Sequence, residues 1–129
     1  MREKTKTIKL SSHGQYSTEY HVCWITKYGK SVLTLETRRY LNKLLLRILE
    51  TMPGCEIVEK NILEDHLHLV MVIPPKYAVK TVVGTLKGKT GSRLKKRYPE
   101  LPTPLWSPGY FVSTIGVPEK KILDYVRNQ

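Results

Sequence analysis

Two histidines, His66 and His68, stand one residue apart within an apolar run. Residues 66–73 (HLHLVMVI) are mostly β-branched or large apolar residues, which predicts a strand. Side chains two residues apart on a strand point to the same face, so both imidazoles are expected on one side of a sheet with Val70 and Val72. Imidazole is a common metal ligand, and two of them on one rigid strand can hold a divalent ion. The pair alone is equally compatible with two unrelated polar residues near a strand end.

Two other enzyme classes use the same short motif, and the sequence fits neither of them well. Histidine-triad nucleotide hydrolases need a third histidine two residues further on, where this chain has Val70. Two-histidine phosphoesterases need a second His-x-Thr or His-x-Ser motif. The remaining histidines, His13 and His21, are followed at that position by Gln15 and Cys23, which carry no hydroxyl group. Both classes are therefore disfavoured.

A tyrosine near the end of the sequence is a candidate nucleophile. Pro118 is typical of a helix start, and Ile122, Tyr125, Val126 and Gln129 then share one stripe of the predicted helix. Tyr125 and Gln129 are neighbours on that stripe. If this stripe of the helix packs beside the histidine strand, Gln129 can offer an amide oxygen to the metal. Tyr125 then faces whatever the metal binds. Taken without the histidines, the pattern is more typical of an ordinary amphipathic helix.

The other predicted elements supply the frame for these residues. Strands are predicted at 20–26, 55–63, 66–73 and 109–115, and helices at 35–52, at 77–97 and from 118 to the end. This β-α-β-β-α-β order with a C-terminal helix predicts an α+β, ferredoxin-like (split βαβ) fold. Its four-stranded antiparallel sheet carries two helices on one face, toward which Leu67, Leu69, Met71 and Ile73 point. Glycines at 84, 88 and 91 weaken the second helix and leave room for a kink or break.

Size and composition indicate one domain, spanning residues 1–129, with a hydrophobic content of 40%. Cys23 and Cys55 have no CxxC spacing and are expected to be reduced, buried thiols. No signal peptide is recognisable, and no apolar run approaches the roughly 20 residues of a membrane helix. We therefore expect a cytoplasmic protein that does not enter a membrane.

The charge of the chain predicts a polyanionic partner. The formal net charge is +11, and basic side chains that neutralise phosphates release counterions on binding nucleic acid. Residues 76–99 hold eight basic residues and no acidic one. This segment is the predicted nucleic-acid surface, although a solvated charged face has the same composition. The candidate contacts are Lys87, Lys89, Arg93, Lys95 and Arg97.

Several motifs in one order resemble a known family, the single-tyrosine HUH transposases (TnpA transposases) of small bacterial and archaeal insertion sequences. The His-hydrophobic-His motif is met at 64–69 (EDHLHL). Residues 20–28 (YHVCWITKY) resemble the first strand of the family, and 105–116 (LWSPGYFVSTIG) resemble the last. Residues 125–129 (YVRNQ) resemble the nucleophile helix. The likeness extends from about residue 17 to residue 129.

The resemblance implies a DNA transposase that cuts and rejoins single-stranded DNA, with hairpin ends, through a 5′-phosphotyrosine intermediate. It implies Tyr125 as the nucleophile, on a catalytic helix at about 118–129, and His66, His68 and Gln129 as metal ligands. The ion would be Mg²⁺ or Mn²⁺, with no organic cofactor. It also implies a homodimer, in which the helix can serve the histidines of the partner.

Two alternatives to transposition remain from the sequence. The same chemistry could belong to a domesticated relative that cuts repeats, or to a replication-type HUH nickase. A non-catalytic RNA-binding module can also adopt this fold. Its usual strand signature, a basic residue followed by Gly-aromatic-Gly/Ala-Phe, is not found in this chain.

Overall fold

The elements follow one another in the order β-α-β-β-α-β after a short hairpin. The computed structural model describes residues 9–11, 14–16 and 19–114. The order of the main elements predicted from the sequence is confirmed, whereas the hairpin is not among the predicted elements. The helix predicted from residue 118 lies outside the described residues. In chain order the elements are β1 (Lys9–Ser11), β2 (Gly14–Tyr16), β3 (Glu19–Ile25), α1 (Leu35–Leu49), β4 (Glu56–Ile62), β5 (His66–Val72), α2 (Val79–Arg97) and β6 (Phe111–Thr114).

The main sheet is antiparallel, with strand order β4-β5-β3-β6. Its two central strands pair so that Trp24 lies opposite Leu67, and Cys23 lies opposite His68. β4 pairs with the outer edge of β5, and β6 pairs with the outer edge of β3. The predicted ferredoxin-like α+β fold, a four-stranded antiparallel sheet with two helices, is thereby confirmed.

One face of this sheet forms the hydrophobic core with both helices. Leu67, Leu69 and Met71 of β5 are fully buried there beside Val22 and Trp24 of β3. A one-residue slip of β5 would exchange these side chains for the histidine face, so core burial fixes the strand register. The helices contribute Leu41, Leu44, Leu45 and Ile48 from α1, and Val82, Val83, Leu86 and Leu94 from α2.

Helix α1 has a defined start and an end earlier than predicted. The hydroxyl of Thr34 accepts a hydrogen bond from the backbone N–H of Thr37 at 3.2 Å, which caps the first turn. Regular α-helix stops at Leu49, not at residue 52. The next three N–H groups bond to carbonyls three residues back, as in a tight final turn. Gly54, with a φ of 96°, then reverses the chain.

Helix α2 is continuous from Val79 to Arg97 despite its three glycines, so the break considered from the sequence does not occur. Its apolar side is anchored in the core, and tertiary packing of this kind outweighs the low helix propensity of glycine. Gly91 has a packing role, because the indole of Trp106 lies against it. Within the described ranges, no helix combines the length and apolar character needed to cross a membrane.

Alanine substitutions at two glycines of α2 test this packing. A Cβ atom at Gly84 would meet no atom within 4 Å, so Gly84→Ala should stabilise the fold by about 0.5–1 kcal/mol. A Cβ atom at Gly91 would lie 3.1 Å from Cδ1 of Trp106. That indole cannot easily move, because its Nε1 donates to Thr90 Oγ1 at 3.1 Å. Gly91→Ala should therefore destabilise the fold in urea unfolding, and equal stabilisation by both variants would contradict the close contact.

Candidate active site

Strand β5 presents His66 and His68 on the sheet face opposite the helices. His68 lies opposite Cys23 of β3, and His66 lies opposite Ile25. The intervening Leu67 points into the core and is fully buried. The two imidazoles therefore share one face, as the alternation of the strand predicted.

A carboxylate orients the first of these histidines. Oδ1 of Asp65 lies 2.8 Å from Nδ1 of His66, and the imidazole is almost completely buried. With Nδ1 bonded to the carboxylate, Nε2 is the nitrogen that would face a metal ion. Carboxylates commonly hold metal-binding histidines in this way, because they fix both the tautomer and the orientation of the ring. Asp65 belongs to the sequence motif, but its role was not predicted.

A third histidine, His21 of β3, contacts the second one. Its Nδ1 lies 2.8 Å from Nε2 of His68, within hydrogen-bonding distance. His21 is two residues from Cys23, the cross-strand partner of His68, and so points to the same face. One signal for this orientation is present in the sequence, since Tyr20, Val22 and Trp24 alternate toward the core. The neighbour of His21 could not be predicted, because it depends on the pairing of β3 with β5.

The donors at this face fit a divalent ion but do not complete its coordination. Two imidazoles on one strand, one of them with an orienting carboxylate, are typical of a transition-metal site. In the part of the chain that the structure describes, no three or more His, Cys, Asp or Glu side chains form a metal-binding cluster. Further ligands are therefore needed. Gln129, the predicted third ligand, and Tyr125, the predicted nucleophile, both lie outside the described residues.

The chain matches a known protein family over most of its length. The family model described as "Transposase IS200 like" matches residues 14–129, nearly the whole chain. The chain belongs to the IS200-like transposase family. The resemblance found in the sequence motifs is therefore confirmed, and the protein is a transposase-family enzyme.

Two curated relatives agree with this membership. The transposase for insertion sequence element IS200 of Salmonella typhimurium is 31% identical over 126 residues, covering 94% of this chain and 82% of the relative. The ISDra2 transposase TnpA of Deinococcus radiodurans is 32% identical over 120 residues, covering 88% of this chain and 85% of the relative. The IS200-like transposase described here is thus similar to TnpA-type enzymes over most of its length.

Solved structures share the fold. A crystal structure from Deinococcus radiodurans R1, of a protein assigned as a transposase, has a TM-score of 0.79 and 30% identity, covering 100% of this chain and 98% of that chain. A REP-associated tyrosine transposase, solved bound to a REP hairpin, has a TM-score of 0.61 and covers 98% of this chain and 68% of that chain. At 12% identity, this second likeness concerns the fold alone.

Two of the predicted DNA-contacting lysines of this transposase are bonded to its own backbone. Nζ of Lys87 donates to the carbonyls of Ser107, Pro108 and Gly109 at 2.8, 3.2 and 2.9 Å, so each ammonium proton has an acceptor. Burial lowers the pKa of Lys87. This contact ties α2 to the segment that leads into β6.

Lys95 has a similar role at the end of α2. Its Nζ donates to the carbonyls of Pro99 and Leu101, both at 2.6 Å, and so holds the turn that follows the helix. Sequence alone could not separate this lysine or Lys87 from their exposed neighbours. Their contact with DNA stays a prediction.

The other three predicted DNA contacts are exposed on the same helix. Lys89 and Arg93 lie one turn apart, and Lys96 continues their row. The guanidinium of Arg97 lies 4.8 Å from the centre of the Tyr40 ring. Nε of Arg97 donates to the Tyr98 hydroxyl at 3.4 Å, and this hydrogen bond raises the pKa of Arg97. Lys89, Arg93 and Lys96 thus form an exposed basic row along α2.

Methionine substitutions separate the structural lysine from the exposed one. Lys87→Met keeps the apolar stem but removes the donor from three carbonyls. It should lower the free energy of unfolding by about 1–3 kcal/mol. Lys89→Met, at an exposed position of the same helix, should change it by no more than about 0.5 kcal/mol. Urea titration compares the two variants. A Lys87→Met protein as stable as wild type would show that the three hydrogen bonds contribute nothing.

Proposed function

We propose that this IS200-like transposase cuts and rejoins single-stranded DNA through a 5′-phosphotyrosine intermediate on Tyr125. The observation that carries the proposal is the pair of imidazoles on one face of β5, with His66 oriented by Asp65. In a transposase-family chain, such a pair supports a divalent-metal site beside the scissile phosphate. Gln129 is the proposed third protein ligand.

The proposed reaction conserves bond energy. The phenolic oxygen of Tyr125 attacks the DNA phosphorus as its proton is lost to solvent. The bond from phosphorus to the 3′ oxygen breaks, and this oxygen takes up a proton and leaves as a 3′-hydroxyl. The 5′-phosphotyrosine is a phosphodiester like the one that was broken. A 3′-hydroxyl can therefore attack it and release the tyrosine without ATP.

The imidazoles provide a rigid site for Mg²⁺ or Mn²⁺. When bound, the ion supplies charge neutralisation at a non-bridging phosphate oxygen and helps to orient the DNA backbone. His66 and His68 contribute position, because both belong to a strand whose opposite face is locked in the core. Asp65 keeps Nδ1 of His66 protonated, so the lone pair of Nε2 can serve the ion.

Single-stranded DNA with hairpin ends is the proposed substrate. The net charge of +11 and the exposed basic row on α2 support a polyanionic ligand. The REP-associated tyrosine transposase, which shares the fold, was solved bound to a REP hairpin. Membership of a transposase family also favours DNA cutting over the RNA-binding module considered from the sequence.

A homodimer is the proposed assembly, and the two edges of the sheet differ in a way that supports it. β4 carries the exposed charges Glu56, Glu59 and Lys60, which discourage pairing with another strand. β6 (FVST) carries no charge along its described length. The β6 edge is therefore the edge suited to meet a second copy.

The assignment of Tyr125 is tested by removing one oxygen atom. Tyr125→Phe should reduce the covalent protein–DNA adduct to background, because the phenolic oxygen forms the bond to phosphorus. Stability should hardly change. The assay is a denaturing gel of the full chain with Mn²⁺ and labelled single-stranded oligonucleotides spanning the flanks of its gene.

The matched control is Tyr28→Phe. Tyr28 is 80% exposed, and its hydroxyl is thus accessible to DNA. This variant should form the adduct as wild type does. An adduct that persists in Tyr125→Phe and disappears in Tyr28→Phe would show that Tyr28 is the nucleophile. An adduct absent from wild type would contradict the phosphotyrosine mechanism.

The DNA surface is tested by reversing three charges on α2. Lys89→Glu, Arg93→Glu and Lys96→Glu together should weaken oligonucleotide binding and flatten its salt dependence, by about one unit of slope for each phosphate that the protein no longer neutralises. Lys87 is left intact, because losing its hydrogen bonds to the backbone would alter the fold as well as the charge. Fluorescence anisotropy over a range of salt concentrations measures the slope.

The control reverses three exposed charges with similar spacing on α1, at Arg39, Lys43 and Arg47. Both triple variants change the net charge by the same amount, so the comparison separates local binding from overall attraction. A larger decrease of the slope is expected in the α2 variant. Equal decreases would mean that overall charge, and not the α2 row, directs binding.

A further inference from the structure

The imidazoles of His21 and His68 meet edge to edge. Their facing nitrogens are 2.8 Å apart, and their planes differ by 10°. The ring centroids are 5.0 Å apart, whereas the facing nitrogens are much closer, so the rings extend away from each other on either side of the contact. For nearly parallel rings, these values place the facing nitrogens on the line between the two ring centres. The hydrogen bond therefore lies along the ring planes and occupies Nδ1 of His21 and Nε2 of His68.

The two candidate ligands thus have equivalent support. Nδ1 of His66 is bonded to Asp65, and Nε2 of His68 is bonded to His21, each at 2.8 Å. In each case one ring nitrogen is bonded to a neighbouring side chain. Metal-binding histidines generally donate their other ring N–H to an acceptor, which fixes the tautomer and aims the ligating nitrogen at the ion, and Nδ1 of a neutral His21 can be such an acceptor.

We propose that His21 is a positioning residue for the metal ligand His68. In this arrangement Nε2–H of His68 donates to Nδ1 of His21, and Nδ1 of His68 becomes the ligating nitrogen. The hydrogen bond to His68 occupies Nδ1 of His21, so in this arrangement His21 acts on the ion through His68 and not as a third ligand. The inference rests on the metal site of the proposed function and adds a residue from β3 to it.

The strand pairing explains how a residue so distant in sequence reaches this position. His21 lies opposite Val70, the next residue after His68 on the same face of β5. On its other side, His21 pairs with Ser113 of β6. A residue in the middle of a three-strand ladder cannot shift without breaking pairs on both sides. His21 is therefore a rigid support for the imidazole of His68.

The test compares Mn²⁺ binding by full-length variants in the absence of DNA. Asparagine can place its amide oxygen near the position of Nδ1 of histidine, whereas glutamine places it near the position of Nε2. His21→Asn should therefore bind Mn²⁺ as wild type does, and His21→Gln and His21→Ala should bind it at least about 10-fold more weakly. Ser113→Ala, the cross-strand neighbour on β6, is the control and should leave affinity unchanged.

Calorimetry gives the affinities, and circular dichroism confirms that each variant is folded. Wild-type affinity in His21→Ala would overturn the inference, as would an Asn variant as weak as the Gln variant. If the Ala variant does not fold, the comparison of Asn with Gln still decides. A wild-type chain that binds no Mn²⁺ would overturn the metal site of the proposed function, and this inference with it. Normal binding that is insensitive to His21 would overturn this inference alone.

Two spectroscopic measurements separate a positioning role from direct ligation. Imidazole ¹⁵N NMR of the metal-free chain should show His68 protonated at Nε2. Protonation at Nδ1 instead would contradict the proposed hydrogen bond. Hyperfine couplings of bound Mn²⁺ should reveal nitrogens from two histidines. Three directly bound histidine nitrogens, with one absent in His21→Ala, would make His21 a ligand and overturn the positioning role.

Discussion

The antiparallel pairing of β3 with β5 is the constraint on which the rest of the structure depends. On one side it brings Trp24 opposite Leu67, inside a core that both helices cover. On the other side the same register brings Cys23 opposite His68, and so sets His21 beside the histidine pair. A slip by one residue would turn the imidazoles into the apolar core and move the leucines to the histidine face, which makes the wrong register costly. The site is therefore rigid, because the hydrophobic core fixes the two strands that carry it.

The environment of the histidines combines burial with specific partners. His66 is nearly inaccessible to solvent, and Asp65 supplies the acceptor that a buried imidazole N–H needs. His68 meets another imidazole, which can accept or donate according to its tautomer. This arrangement suits a site that must hold two nitrogens in place before an ion binds, since little reorganisation is then required.

Helix α2 has two roles that its composition does not distinguish. Its inward side packs on the core, and Lys87 and Lys95 hold the chain between α2 and β6 through backbone carbonyls. Gly91 allows Trp106 of that segment to approach the helix closely, and Trp106 in turn packs edge-on against Trp24. The outward row that starts at Lys89 is left exposed to solvent. The charge pattern of the sequence predicted all these basic residues as one surface, because composition carries no information on the direction of a side chain.

The sequence by itself determined the order of the elements, the core-facing side of β5 and the family, because these follow from local periodicity and short motifs. It did not determine that α2 continues unbroken through its glycines, since packing against the core outweighs local propensity. Only the tertiary structure decided that His21 meets His68, 47 positions away, and that the half-buried Lys87 donates to backbone carbonyls. Such contacts depend on strand register and loop path, which are set by the burial of the whole core and not by neighbouring residues.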